Sequence, residues 1–230
     1  MSHEHHARTF DQWAADGLDA EMEQEHGDVV RQVVARLALR PGEQILDLGC
    51  GNGWATRLLA KAAPGATAVG VDVAAGMVAR AEERHSFTIR ARYEVASFEA
   101  LPFADARFDR AFSMEALYYA VDLGRALSET GRVLKPGAPF DAIVDYYKEN
   151  PLTASWQCCF GVPVHWLSEG EWRAEFERAG FRELRFERVV DSRGPGEESA
   201  FRPSHCYRDF ATWKAIREAG SLWIHALKGT

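Results

Sequence analysis

The chain has 230 residues, of which 47% are hydrophobic and 27% are charged, and its formal net charge is −7. These proportions are typical of a globular protein with one domain and a substantial core. The sequence contains no cluster of Lys and Arg residues, and its net charge is negative. Both observations argue against nucleic acid or anionic membrane as the main partner. No apolar run approaches the roughly 20 residues that span a bilayer.

The cysteines and the N-terminus bear on the cellular compartment. None of the cysteines belongs to a C-x-x-C pair, and reduced thiols are expected at all of them: Cys50, Cys158, Cys159 and Cys206. The N-terminus has no apolar signal region, so we expect a cytoplasmic protein. We expect no metal site, and we interpret His3, His5 and His6 as part of a solvated tail.

Residues 1–40 are predicted to form a helical cap at the start of a single domain of residues 1–230. Phe10 and Trp13 lie there in a polar setting. Apolar residues recur at helical spacing over 20–39, from Val29 to Leu37, before Pro41 and Gly42 end the pattern.

Strands and helices then alternate along the chain. The predicted strands are 44–48, 67–72, 88–95, 108–113, 138–145, 181–190 and 222–228. The predicted helices are 53–63, 75–85, 122–134, 168–179 and 207–218. Asp122 is a suitable N-cap for the third of these, and Ser168 and Glu171 have the spacing of a capping box. This alternation predicts an α/β protein with a doubly wound, mainly parallel sheet. The irregular segment 146–167 is predicted to be an insert on the substrate side.

The turn between the first strand and the next helix carries the most specific motif. Residues 45–54 read Ile-Leu-Asp-Leu-Gly-Cys-Gly-Asn-Gly-Trp, with Gly49, Gly51 and Gly53 at every second position. Glycines at such a turn permit positive φ and let a ligand approach the main chain. The second strand ends in Asp72, whose carboxylate is well placed to accept hydrogen bonds from both hydroxyls of a ribose.

The glycine spacing distinguishes between classes of nucleoside ligand. A nicotinamide dinucleotide fingerprint needs a third glycine where this chain has Trp54. The loop also lacks the Lys and Ser/Thr of a triphosphate-binding loop. The pattern D-x-G-x-G-x-G, which begins at Asp47, instead resembles motif I of the class I S-adenosylmethionine-dependent methyltransferases.

Later segments extend this resemblance over about residues 40–145. Residues 69–73, 97–103, 108–113 and 131–137 are similar, in order, to further motifs of the family. The resemblance implies a Rossmann-like, seven-stranded sheet of order 3-2-1-4-5-7-6 with the seventh strand antiparallel. It also implies S-adenosylmethionine as cofactor, with Asp47, Gly49 and Gly51 near its methionine part. The remaining cofactor-binding residues that we predict on this basis are Asp72, Val73, Met77, Ser97, Phe98 and Ser113. Ser97 stands where the family usually has an acid.

The acceptor side is less specific in the sequence. Candidate catalytic residues follow the fourth and fifth strands or lie in the insert: Glu115, Tyr118, Tyr146 and His165. Many aromatic residues near the predicted pocket suit a flat or apolar small molecule as methyl acceptor, and they suit a cationic amine equally well. We therefore predict methyl transfer to a small molecule, with oxygen or nitrogen favoured over carbon. The alternatives are an NAD(P)-dependent oxidoreductase and a non-catalytic S-adenosylmethionine-binding protein. A third option is a protein methyltransferase, which would need an open acceptor groove.

Overall fold

The computed structural model describes residues 3–86, 88–204 and 206–230. The helices are α1 (His3–Asp16), α2 (Asp19–Arg36), α3 (Trp54–Lys61), α4 (Ala75–Glu83), α5 (Leu123–Val133), α6 (Glu169–Arg178) and α7 (Phe210–Ala219). The strands are β1 (Gln44–Leu48), β2 (Thr67–Asp72), β3 (Ala91–Val95), β4 (Arg110–Met114), β5 (Pro139–Val144), β6 (Phe181–Val189) and β7 (Ser221–Lys228). Residues 1 and 2 of the predicted cap lie outside the described residues.

The described strands form one seven-stranded sheet of order β3-β2-β1-β4-β5-β7-β6. β1 pairs in parallel with β2 and β4, and β7 pairs antiparallel with both β5 and β6. The predicted fold class and strand order are confirmed. Three boundaries differ by three residues: α2 ends at Arg36 rather than at residue 39, α7 begins at Phe210 rather than at residue 207, and β3 begins at Ala91 rather than at residue 88. At β3 the reason is a preceding turn, in which Ile89 N–H donates to Ser86 C=O.

Local capping chemistry sets two helix starts as predicted. The Asp122 side chain accepts from Arg125 N–H at the start of α5. Ser168 and Glu171 form a reciprocal capping box at the start of α6. Both helices therefore begin where the sequence satisfies their otherwise unpaired N–H groups.

The N-terminal helices lie over the carboxyl ends of the parallel strands. The Asp11 carboxylate in α1 accepts from Gly76 N–H, at the start of α4, at 2.7 Å. Asn52, in the turn after β1, donates to the Asp19 side chain of α2 at 2.9 Å. These two hydrogen bonds hold α1 and α2 against the edge where ligands bind in such sheets.

The segment 146–167 crosses the same edge on its other side. It contains a 3-10 helix, Pro151–Cys158, and it begins with two buried tyrosines, Tyr146 and Tyr147. Tyr147 O–H donates to Gly220 C=O at 2.8 Å, which fixes the segment to the start of β7. Among the described residues, no helix is both long enough and apolar enough to cross a membrane.

Candidate functional site

The turn after β1 adopts the conformation that its glycines allow. Gly49, Gly51 and Gly53 have φ of +72°, +51° and +76°. A Cβ on Gly49 would lie 2.1 Å from the Ala116 Cβ, and a Cβ on Gly53 would lie 2.4 Å from the Tyr93 ring. Around Gly51, by contrast, a Cβ would meet nothing within 4 Å. Two glycines therefore permit close packing, while Gly51 exposes its main chain to the open space in front of the turn.

That open space is a cavity of about 1030 Å³. The ends of β1, β2 and β4 form its floor, with Gly49, Asp72 and Glu115 among the lining residues. α1, α2 and the segment 193–204 also contribute to its wall. Its position agrees with the ligand site of doubly wound sheets, at the switch point between β1 and β4.

Asp72 lies at the centre of one half of this cavity. Its carboxylate accepts from Gly51 N–H and from Ala74 N–H, both at 2.9 Å. Burial raises its pKa to about 6, against the lowering effect of these backbone hydrogen bonds. A carboxylate offers about four acceptor positions, so two remain for a ligand diol. The open main chain at Gly51 and this carboxylate therefore fit an adenosyl group.

Four further residues predicted to bind the cofactor line the same half: Val73, Met77, Ser97 and Phe98. The Phe98 ring packs against the turn, 3.2 Å from where a Cβ on Gly49 would stand. Ser97 Oγ accepts from Glu99 N–H at 3.2 Å and lies 3.2 Å from His3 Nδ1 of α1. The Ser97 hydroxyl thus links this half of the cavity to the helix that covers it.

Asp47 and Ser113 were also predicted to contact the cofactor, but the structure places both behind the turn. The Asp47 carboxylate is 1% exposed and accepts from Thr56 O–H at 2.6 Å, and neither predicted residue lines the cavity. Burial raises the pKa of Asp47 to about 7. Ser113 O–H donates to Leu48 C=O at 3.1 Å. Both side chains hold β1 and its turn in place, and their direct contact with the cofactor stays a prediction.

Glu115 follows β4 and faces the cavity from a strained position. Its φ of +49° is unusual for a residue with a side chain. One carboxylate oxygen accepts from Tyr118 O–H at 2.8 Å, and the other accepts from Asp145 N–H. Burial raises the pKa of Glu115 well above its ordinary value, and the negative charge of Asp145 raises it further. Glu115 and Tyr118 both line the cavity, as predicted for acceptor-side residues.

The other two catalytic candidates are not brought to the cavity wall. The fully buried Tyr146 ring stacks near Trp156 and Trp166, at centroid distances of 6.4 and 6.0 Å. His165 Nε2 donates to Ala120 C=O at 2.9 Å, which joins the insert to the segment after β4. Tyr146 therefore packs in the core and His165 binds a backbone carbonyl, and a catalytic role for either residue stays a prediction.

Two polar residues of this region were missed by the sequence reasoning. His26 of α2 and Asp145, which follows β5, lie beside Glu115, and ligand atoms of the three are within 4.8 Å of one another. A signal for His26 exists in the sequence, because it falls one helical turn before Val30 on the buried face of α2. Asp145 could have been noticed as an acid at the carboxyl end of a predicted parallel strand.

The second half of the cavity is largely aromatic. Phe10 and Tyr119 meet edge to face at 4.9 Å, and Tyr119 meets Phe160 in the same way at 5.5 Å. Other rings in the wall are those of Trp13, Tyr118, Trp156, Tyr207 and Trp213. Such a wall excludes water and binds flat or apolar groups.

Comparisons with known proteins agree with this geometry. A family model described as a methyltransferase domain matches residues 45–137. The O-methyltransferase resE of Aspergillus sclerotiorum is 33% identical over 191 residues, which are 80% of this chain and 71% of the relative. A malonyl-[acyl-carrier protein] O-methyltransferase of Pseudescherichia vulneris is 37% identical over 128 residues, and the chain spans about half of that protein's length, 49%.

Solved structures extend the similarity over nearly the whole chain. The Haloferax volcanii protein solved in complex with the Trm112 methyltransferase activator superimposes with a TM-score of 0.86 at 31% identity, covering 96% of this chain and 98% of that one. An S-adenosylmethionine-dependent methyltransferase from Mesorhizobium loti superimposes with a TM-score of 0.67 at 20% identity, covering 88% of this chain and 99% of that one. The second match concerns the fold alone.

Proposed function

The chain belongs to the class I S-adenosylmethionine-dependent methyltransferases, and we propose that it methylates an oxygen or nitrogen atom of a small molecule. The cofactor supplies a methyl group on a positively charged sulfur, which is already activated for transfer. The chain's own residues then have to bind the two molecules, align the acceptor and exclude water.

One observation carries this proposal: a single cavity joins the Asp72 half to the aromatic half. Phe10 and Trp13 of α1 and Trp156 and Phe160 of the insert belong to the wall that covers the aromatic half. A cavity walled by these aromatic side chains suits a small acceptor better than the side chain of a folded protein, which needs an open groove. We therefore assign residues 1–40 as a cap and 146–167 as the substrate-side insert of one domain, 1–230.

In this proposal different residues of the Asp72 half contact the ribose, the adenine and the methionine part of the cofactor. Asp72 accepts hydrogen bonds from the ribose hydroxyls. Met77 and Phe98 contact the adenine, with Val73 and Ser97 beside them. Gly49 and Gly51 leave room for the methionine part, and Asp47 and Ser113 fix the turn from behind.

At the acceptor half, Glu115 and Tyr118 are the polar pair that faces the reacting atom. An acceptor with a hydroxyl or ammonium group has to lose a proton before or during transfer. Glu115 accepts a hydrogen bond from Tyr118 and lies in the cavity wall, so the pair can orient such a group or receive its proton. Transfer to an oxygen or nitrogen that bears a proton releases that proton, and the Glu115–Tyr118 pair lies where it can receive it.

The experiment is methyl transfer from labelled S-adenosylmethionine to matched panels of phenols, carboxylic acids, amines and alkenes, with a folded protein mixture as a separate acceptor. We expect label on an oxygen or nitrogen of one small-molecule class, and we expect the Glu115→Gln variant to lose most of that transfer while it still binds S-adenosylhomocysteine. Label found on protein alone, or on carbon alone, would contradict the proposal.

A further inference from the structure

Three side chains of metal-ligand type meet in the wall of the cavity although they come from distant parts of the chain. His26 belongs to α2, Glu115 follows β4 and Asp145 follows β5. His26 Nδ1 lies 3.4 Å from Asp145 Oδ2, and one ligand atom of each residue lies within 4.8 Å of the other two. We call these three residues the His26 cluster. Imidazole nitrogen and carboxylate oxygens are the ligands that Zn²⁺ and Mn²⁺ bind in proteins.

The charges of the cluster are not balanced by the surrounding protein. Over the described ranges, no Lys or Arg side chain forms an ion pair with Glu115 or Asp145, and the one ion-pair partner of Asp145 is His26. One carboxylate oxygen of Asp145, Oδ1, is buried and has no hydrogen-bond partner. Buried carboxylates are normally paired with a cation or hydrogen-bonded. Both oxygens of Glu115 accept hydrogen bonds, so the unfilled acceptor position of the cluster is at Asp145 Oδ1.

A second, independent observation points to the same place. Beside His26 and Asp145 lies a small pocket of about 10 Å³, which Glu115 does not line and whose wall also includes Asn150 and Arg217. The Arg217 guanidinium donates to the Asp191 carboxylate and to Glu25 C=O rather than to Asp145. Asn150 is 2% exposed, and its Nδ2 is buried without a partner. Rotation of an amide by 180° exchanges its oxygen and nitrogen, so Asn150 can present an oxygen to the pocket. A volume of this size is about that needed for one water molecule.

The carboxylate of Glu115 is held in the way that metal-binding carboxylates usually are. Tyr118 O–H donates to one of its oxygens and Asp145 N–H donates to the other. Outer hydrogen bonds of this kind fix the orientation of a ligand before the metal arrives. Because Glu115 and His26 also line the large cavity, an ion has an entry path.

We propose that His26, Glu115 and Asp145 bind one divalent cation of the Mn²⁺ or Zn²⁺ type, with Asn150 or a water molecule as a further ligand. The ion lies in the cavity wall beside Tyr118, where it can hold an oxygen atom of the methyl acceptor. This use of the ion rests on the proposed function, whereas its binding to the protein does not.

The test is titration of the chelator-treated protein with Mn²⁺, followed by the loss of the free-ion electron paramagnetic resonance signal. We expect one site with a micromolar dissociation constant in the wild type. His26→Gln, Glu115→Gln and Asp145→Asn should each weaken it at least about tenfold. The matched controls are His85→Gln and Asp105→Asn, at exposed positions away from the cluster, which should leave it unchanged.

Thermal unfolding is measured on the same samples to verify that each variant is folded, and S-adenosylhomocysteine affinity is measured separately. Equal Mn²⁺ binding by wild type and Asp145→Asn would place the ion elsewhere, for example at His3 and His5, and would overturn the proposal. Absence of Mn²⁺ and Zn²⁺ binding by the folded wild type would overturn it as well. Metal binding without S-adenosylhomocysteine binding would refute the proposed function and leave the metal site standing.

Discussion

Replacement of Asp72 by alanine tests the cofactor half of the site most sharply. In the proposed complex its carboxylate accepts from two ribose hydroxyls in addition to Gly51 N–H and Ala74 N–H. The two backbone bonds exist with or without ligand, so their loss affects stability rather than affinity. The hydrogen bonds from the ribose hydroxyls form only on binding, so the change in the dissociation constant reports their loss.

The size of the effect follows from the charge and burial of this group. Asp72 is 8% exposed, and a hydrogen bond to a charged group contributes about 1.5–3 kcal/mol. Since two such bonds share one carboxylate, we expect a total loss of about 2–3 kcal/mol, which is about 30- to 150-fold in the dissociation constant. Asp72→Asn, which keeps the shape and one acceptor oxygen, should lose less.

Isothermal titration with S-adenosylhomocysteine measures this directly. Asp105→Ala is the matched control, because the Asp105 side chain is 79% exposed and pairs with Arg132 rather than with any group of the cavity. Thermal unfolding of each variant separates a loss of affinity from a loss of fold. An Asp72→Ala protein that is folded and binds within threefold of the wild type would refute the ribose assignment.

Three further predictions concern the same region. Phe98→Ala should weaken S-adenosylhomocysteine binding by less than Asp72→Ala does, because stacking on the adenine contributes about 0.5–1.5 kcal/mol. A larger loss of affinity in Phe98→Ala would show that the Phe98 ring contributes more to binding than the Asp72 carboxylate does. Burial raises the pKa of Asp72 to about 6, so only about a tenth of this carboxyl group is ionised at pH 5. The affinity for S-adenosylhomocysteine should therefore fall about tenfold from pH 8 to pH 5. Asp72→Asn should abolish this pH dependence. Burial raises the pKa of Asp47 to about 7 from an ordinary 3.8, so the folded state holds the proton more tightly, and the contribution of Asp47 to stability should fall by about 3 kcal/mol as pH rises from 4 to 7. Asp47→Asn, whose amide oxygen still accepts from Thr56, should flatten that slope in chemical denaturation, and an unchanged slope would show that Asp47 ionises normally.

Local chemistry explains what the sequence predicted well. The Asp122 cap and the Ser168–Glu171 capping box depend on residues three positions apart, so the sequence contains the whole interaction. The same is true of the glycine turn, where positive φ at Gly49 and Gly51 follows from residue type. The strand order came from the family resemblance. Hydrophobic periodicity predicts that strands and helices alternate along the chain, but it does not predict the order of the strands in the sheet.

Side-chain direction explains why two of the candidate catalytic residues, Tyr146 and His165, lie away from the cavity. Tyr146 and Asp145 are neighbours after β5, yet Tyr146 packs into the core while Asp145 joins the cluster beside the cavity. Successive side chains of an extended segment point to opposite faces, and the sequence does not specify which face meets the ligand. The His165 ring donates a hydrogen bond to Ala120 C=O. The two residues are far apart in the sequence, so this pairing becomes visible only in the folded structure.

Long-range packing explains what was missed. His26 meets Glu115 and Asp145 only because α2 lies over the carboxyl edge of the sheet. The three residues are separated by long stretches of chain, and no spacing rule connects them. The position of His26 on the buried face of α2 can be read from the sequence, but a buried histidine on a valine-rich helix face is most often structural, so that position alone does not indicate a site.

The most direct test of the whole account is a crystal structure of the protein with S-adenosylhomocysteine. We predict the ribose hydroxyls within hydrogen-bond distance of Asp72, the adenine against Phe98, and the sulfur directed toward the space beside Glu115 and Tyr118. A cavity that remains empty at saturating ligand, or an adenosyl group bound away from Asp72, would contradict the account.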